Sequence, residues 1–120
     1  MRADRWQTGD CGVYAVALIR SYPQLRLGTI INQGTAPGHA LHFFAHDEHR
    51  AYDSRGQHPL PYLSVWDSAA GDYFSPESAA RLGFRCVLNA SLESFGPLNH
   101  AETAKLPAAH QHIRRHGIHP

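Results

Sequence analysis

Apolar positions along this chain change period several times, and each change marks an element. From Cys11 to Tyr22 the residues Val13, Tyr14, Ala17 and Leu18 recur at helical spacing until Pro23 stops the pattern. That predicts a helix over 11–22, entered from the loop formers Gln7-Thr-Gly-Asp10, with Asp10 as a cap whose carboxylate accepts first-turn amides. Leu25 to Ile31 is aliphatic and β-branched and predicts a strand, followed by a loop through Asn32-Gln-Gly34 and Pro37-Gly38. His39 to Ala45 reads as a central strand, His46-Asp-Glu-His-Arg50 as a turn, and Ala51-Tyr-Asp53 as the returning strand of an antiparallel hairpin that Ser54-Arg-Gly56 terminates. Leu60 to Ala70, opened by Pro59 and Pro61, predicts a short helix or an irregular segment. Ser75-Pro76 supplies a cap and a first-position proline for a helix to Leu82 that Gly83 ends, and Phe84 to Leu88 is a further strand.

The fold expected is therefore α+β. An N-terminal helix bearing Cys11 packs on a small antiparallel sheet made from segments near 27–32, 40–45, 50–53 and 84–88. With 120 residues the chain has room for one domain, expected over 1–99. From His100 onward it carries five histidines and two adjacent arginines, and that segment, 100–120, reads as a tail that is a partly frayed helix or disordered.

Composition narrows the function classes. At 42% hydrophobic and 18% charged the chain is too apolar to be disordered, and its longest apolar run, Val13 to Ile19, is far below the roughly 20 residues that span a bilayer. No membrane association is expected. Eleven basic against ten acidic residues leave a net charge of +1, so no nucleic-acid footprint is expected either. The polar start, Met1-Arg-Ala-Asp-Arg-Trp-Gln7, has the wrong shape for a secretory signal, which predicts a cytoplasmic protein or export without a classical signal peptide. In a reducing compartment Cys11 and Cys86 are separate thiols. Cys86, between Phe84 and Leu88, reads as core packing.

Cys11 is different because it stands at a helix start, where free N–H groups and the positive end of the dipole favour a thiolate. A thiol nucleophile needs a base, and the base needs a carboxylate to hold its tautomer. Cys11, His39 and Asp53 form that set, with His39 and Asp53 on neighbouring strands joined by the turn near Asp47. His42 is the alternative base. It lies three positions along, on the opposite strand face if alternation is unbroken. His46 and His49 read as solvated turn residues, and Asp53 could alternatively build a turn through its own backbone bonds. Tyr52, Phe43, Phe44, Trp66 and Tyr73 read as core. The spacings His39-x-x-His42, His46-x-x-His49 and His110-x-His112 complete no metal-ligand signature, so neither a metal nor a cofactor is expected.

Three segments carry a resemblance. Gly9-Asp-Cys11-Gly-Val-Tyr-Ala-Val-Ala-Leu18, Gly38-His39-Ala-Leu41 and Tyr52-Asp53-Ser-Arg-Gly56, together spanning about residues 6–56, resemble the papain-like cysteine hydrolases in the broad sense, transglutaminase-like and cell-wall endopeptidase branches included. The resemblance implies a papain-like core, a helix-borne nucleophile, a strand-borne base and an orienting acid. Gln7-Thr-Gly-Asp-Cys11-Gly-Val-Tyr14 also looks like the cysteine segment of ubiquitin-like-modifier proteases, which implies an oxyanion role for Gln7 with the Cys11 amide. Here the glutamine stands four residues before the cysteine, and the order Cys, His, Asp is the reverse of theirs. Trp6 is expected to wall the cleft beside Gln7.

The function expected is cysteine-dependent acyl transfer on an amide: a peptidase, amidase or deamidase acting on a peptide or protein amide by a Cys-His-Asp triad. The alternative is a non-catalytic bacterial or phage binding protein on the same scaffold, and, further off, a His-rich metal-binding protein.

Overall fold

In a computed structural model that describes residues 4–32, 39–95, 97–116, 118 and 120, with the backbone alone for His39, Ser94 and Phe95, the first predicted helix is α1 (Cys11–Ser21). Val13, Tyr14, Ala17 and Leu18 bury one side of it. It ends with Tyr22 in extended conformation because the residue before a proline is pushed out of the helical region. Asp10 precedes the helix but does not cap it with its side chain. Its carboxylate instead pairs with Arg5 at 3.1 Å and Lys105 at 2.9 Å, two cations that outcompete backbone amides for the charge.

Five strands, β1 (Arg26–Asn32), β2 (His39–His46), β3 (Arg50–Asp53), β4 (Gly56–Pro59) and β7 (Phe84–Val87), form one sheet in the order β4-β3-β2-β1-β7. Every pair in it is antiparallel. Short β5 (Trp66–Asp67) and β6 (Asp72–Tyr73) pair separately, so Leu60 to Ala70 holds an irregular run and half of a small hairpin, with no helix. β3 ends at Asp53, just before Ser54-Arg-Gly56, as the sequence predicts, but the chain then turns into a further strand. Ser54 and Arg55 make a two-residue loop, Gly56 takes φ 102°, and the chain pairs back along β3.

Alternate residues of the sheet feed two cores. Ala45 and Tyr52 face α1, while their chain neighbours Phe44 and Ala51 point the other way, as the pleat requires, into a cluster with Ile30, Tyr62, Val65, Ala79 and Phe84. The second cluster is closed by α2 (Pro76–Leu82), which has the predicted Ser75 cap, Pro76 start and left-handed Gly83 end. On the first face, α3 (His100–Thr103) and α4 (Leu106–His116) follow a 3-10 turn at Leu92–Phe95. Of the two readings of the segment from His100, frayed helix or disorder, its described residues show the helical one, broken after Thr103 and packed on α1. Leu106, Ala109 and Ile113 lie at helical spacing and bury against α1. His46, expected as a solvated turn residue, is buried. It bonds the Asp47 carbonyl through Nδ1 at 2.9 Å and accepts the Asn89 N–H at Nε2, which ties the end of β2 to the chain beyond β7. No helix among the described residues is long and apolar enough to cross a membrane.

Candidate active site

The ladder between β2 and β3 holds only at Ala45–Tyr52 and His46–Ala51. Beyond it, where Asp53 ends β3, the gap between the strands is bridged by side chains. His42 Nε2 lies 3.0 Å from Asp53 Oδ2, both groups buried to 2% exposure. Cys11, the first residue of α1, lies near enough to His42 and to the backbone N–H groups of Phe43 and Gly12 for all three to act on its thiol. With Nε2 facing Asp53, Nδ1 is the ring nitrogen left for the thiol. Because the Asp10 carboxylate is drawn off by Arg5 and Lys105, no side-chain oxygen caps the first turn of α1 in competition with the sulfur.

The electrostatics follow from these contacts. Burial pushes the Cys11 thiol up, but the hydrogen bond and charge of His42, with the two backbone N–H groups, bring it below the ordinary thiol value. Burial pushes His42 down, and its bonds to Asp53 and then Cys11 overturn that and raise it to about 9. Burial also opposes charge on Asp53, yet bonds from His42, His58 and Tyr62 hold it far below the usual carboxylate range. An acid lowered and a base raised side by side both shift toward the charged pair, thiolate and imidazolium.

Asp53 divides its two oxygens. Oδ2 accepts from His42 and, in a short bond, from the Tyr62 hydroxyl. Oδ1 accepts the Arg55 N–H at 2.9 Å and lies 3.0 Å from His58 Nε2. The local turn bond read from the sequence is thus on Oδ1, and the bond to the β2 imidazole is on Oδ2. His58 and Tyr62 stack with ring centroids 4.5 Å apart and 5° between planes, and Tyr62 meets His42 edge-on at 5.9 Å. Neither was singled out by the sequence. The available signal was the tight Asp53-x-x-Gly56 hairpin, which returns the chain past Asp53 and brings His58 level with Ala51.

The imidazole that meets both Cys11 and Asp53 is that of His42, the residue placed second in the sequence. His39 begins β2 opposite Asn32, and its side chain lies outside the described residues. Strict alternation of side chains holds only along an unbroken strand. Ile30 pairs with His42 and Ile31 with Ala40, which leaves Leu41 unmatched in a bulge that resets the phase. Gln7 is buried beside the site. One of its amide hydrogens goes to Ser54 Oγ at 2.8 Å, and its Oε1 receives the Tyr73 hydroxyl at 3.5 Å. Among the described residues no hydrogen bond joins Gln7 to Cys11, and an amide group carries a second hydrogen beyond the one given to Ser54. Trp6 does not wall a cleft beside Gln7. It is 5% exposed in the α1–α4 core, between Tyr14 and His112 and under the Arg5 guanidinium, because its large apolar ring gains more from that packing than from solvent.

Cys86 is half-buried in β7, and burial raises its thiol above the ordinary value, as core packing implies. Phe44 and Tyr52 are buried, while Phe43, Trp66 and Tyr73 are only partly covered. Among the described residues no group of three or more His, Cys, Asp or Glu side chains is placed to hold a metal ion. No family model matches the chain, and no curated protein or solved structure matches it either.

Proposed function

We propose that the protein catalyses acyl transfer from an amide through Cys11, with His42 as general base and acid and Asp53 as the orienting carboxylate. The observation that carries this reading is the buried 3.0 Å pair of His42 Nε2 with Asp53 Oδ2 beside Cys11, where the thiol is lowered and the imidazole raised. In the first step the thiolate forms a C–S bond to the amide carbon, and the carbonyl electron pair moves to oxygen. Collapse breaks the C–N bond as the His42 imidazolium gives its proton to the leaving nitrogen. Water then attacks the thioester, His42 takes its proton, and the acid leaves as the thiol is restored. Backbone N–H groups at the start of α1 and the spare amide hydrogen of Gln7 are the donors for the oxyanion. The resemblance to papain-like hydrolases in the Cys11 and Asp53 segments supports the same chemistry.

The test uses iodoacetamide and p-nitrophenyl acetate at neutral pH, with the modified peptides identified by mass spectrometry. Cys11 is expected to be alkylated at least about tenfold faster than Cys86, as a lowered against a raised thiol requires, and to carry an acetyl group that turns over. His42→Ala is expected to abolish both differences. Equal slow labelling of the two cysteines, with no acetyl adduct on Cys11, would favour a binding protein on this scaffold and overturn the catalytic reading.

A further inference from the structure

Behind the triad, β4, the chain after it and the start of α2 line an open cavity of about 440 Å³ that the chemistry above does not use. Its size falls in the range of roughly 300–1,000 Å³ typical of small-molecule sites. Pro59, Pro61, Leu63 and Phe74 give it apolar walls, and proline rings present no N–H to a ligand. The stacked rings of His58 and Tyr62 form a flat inner wall that separates the cavity from Asp53. At the rim, Arg55 is already fixed twice. Its guanidinium carbon sits 3.9 Å from the centre of the Tyr73 ring, and Nη1 donates to Ser64 Oγ at 2.8 Å. None of the ion pairs among the described residues involves Arg55, and a guanidinium has five N–H donors in a rigid fork, most of them still available.

We propose that this cavity binds a small carboxylic acid, its aromatic body lying against Tyr62, Leu63 and Phe74 and its carboxylate held at the rim by Arg55. The planar fork pairs with a carboxylate through parallel N–H bonds, and because stacking on Tyr73 has already ordered the side chain, little further entropy is lost on binding. The site is separate from Cys11, so its occupancy does not depend on the catalytic reading.

Phenylacetate and its uncharged analogue phenylacetamide, titrated into the full chain while the ring signals of His58 are followed by NMR, test the assignment. Phenylacetate is expected to produce a saturable shift, and phenylacetamide to bind about tenfold more weakly, the scale of one lost charge-assisted pair. In Arg55→Gln, a change at an exposed side chain, phenylacetate is expected to fall to the affinity of the amide. Equal affinity for the two compounds, a shift that Arg55→Gln leaves unaltered, or no saturation at all would overturn the proposal.

Discussion

Asp53 accepts from an imidazole and a phenol on one oxygen, and from a second imidazole and a backbone N–H on the other. Its hydrogen bond and charge raise His42, and His42 in turn lowers Cys11. Alkylation of Cys11 is therefore expected to rise on an acid limb displaced below that of an ordinary thiol. Amide turnover, which also needs the imidazolium proton, is expected to fall as pH rises through about 9. The same sign applies to stability: a base raised on folding stabilises below its unfolded value and loses that contribution as pH passes its folded one. Asp53→Asn keeps the shape and removes the charge, so both limbs are expected to move inward, the acid limb up and the alkaline limb down, in a pH series of alkylation and turnover. Unmoved limbs would show that the carboxylate charge does not set the pair. Tyr62→Phe removes one donor to a buried carboxylate and is expected to cost about 1.5–3 kcal/mol in urea unfolding. At this scale Cys11 and Asp53 were legible, one from a helix start and one from a hairpin end. The choice of His42 was not, because a bulge at Leu41 carries no mark in the residue types.

Elements with their own punctuation were the legible ones. α2 follows from Ser75, Pro76 and Gly83 because cap, start and stop are local effects of single side chains. β4 has no apolar signal, only alternating half-buried and exposed residues, and it is a strand because β3 offers it an edge. β1 shows a tighter constraint. A Cβ on Gly28 would lie 2.3 Å from the ring of Phe44, which is fully buried and has nowhere to swing. Gly28→Ala is therefore expected to destabilise the fold by about 1–3 kcal/mol through overpacking, read as a lower midpoint in urea. An unchanged midpoint would mean that the ring can move.

Across the whole molecule the sheet separates two cores, and the C-terminal helix completes one of them. Leu106, Ala109 and Ile113 cover the buried face of α1, Tyr14 shares a 2.8 Å hydrogen bond with His112 Nδ1, and the Tyr22 hydroxyl donates to the Ile118 carbonyl. Ile113→Ala is expected to cost about 2–5 kcal/mol, visible as a single cooperative thermal transition at lower temperature. A transition that stays put would make residues 100–120 the separate tail their composition suggested. Of the described histidines there, His100 and His116 are exposed, while half-buried His110 and His112 bond to Ser21 and Tyr14 of α1 beside the three apolar anchors.

Residue order alone determined what depends on near neighbours: where α1 and α2 begin and end, that the chain mixes helices with an antiparallel sheet, and that a cysteine opens the first helix. Tertiary structure decided which imidazole meets that cysteine, what else holds the aspartate, and where the last helix docks. Those outcomes rest on register and packing between segments far apart in the chain, where a single unmatched residue changes which side chains meet.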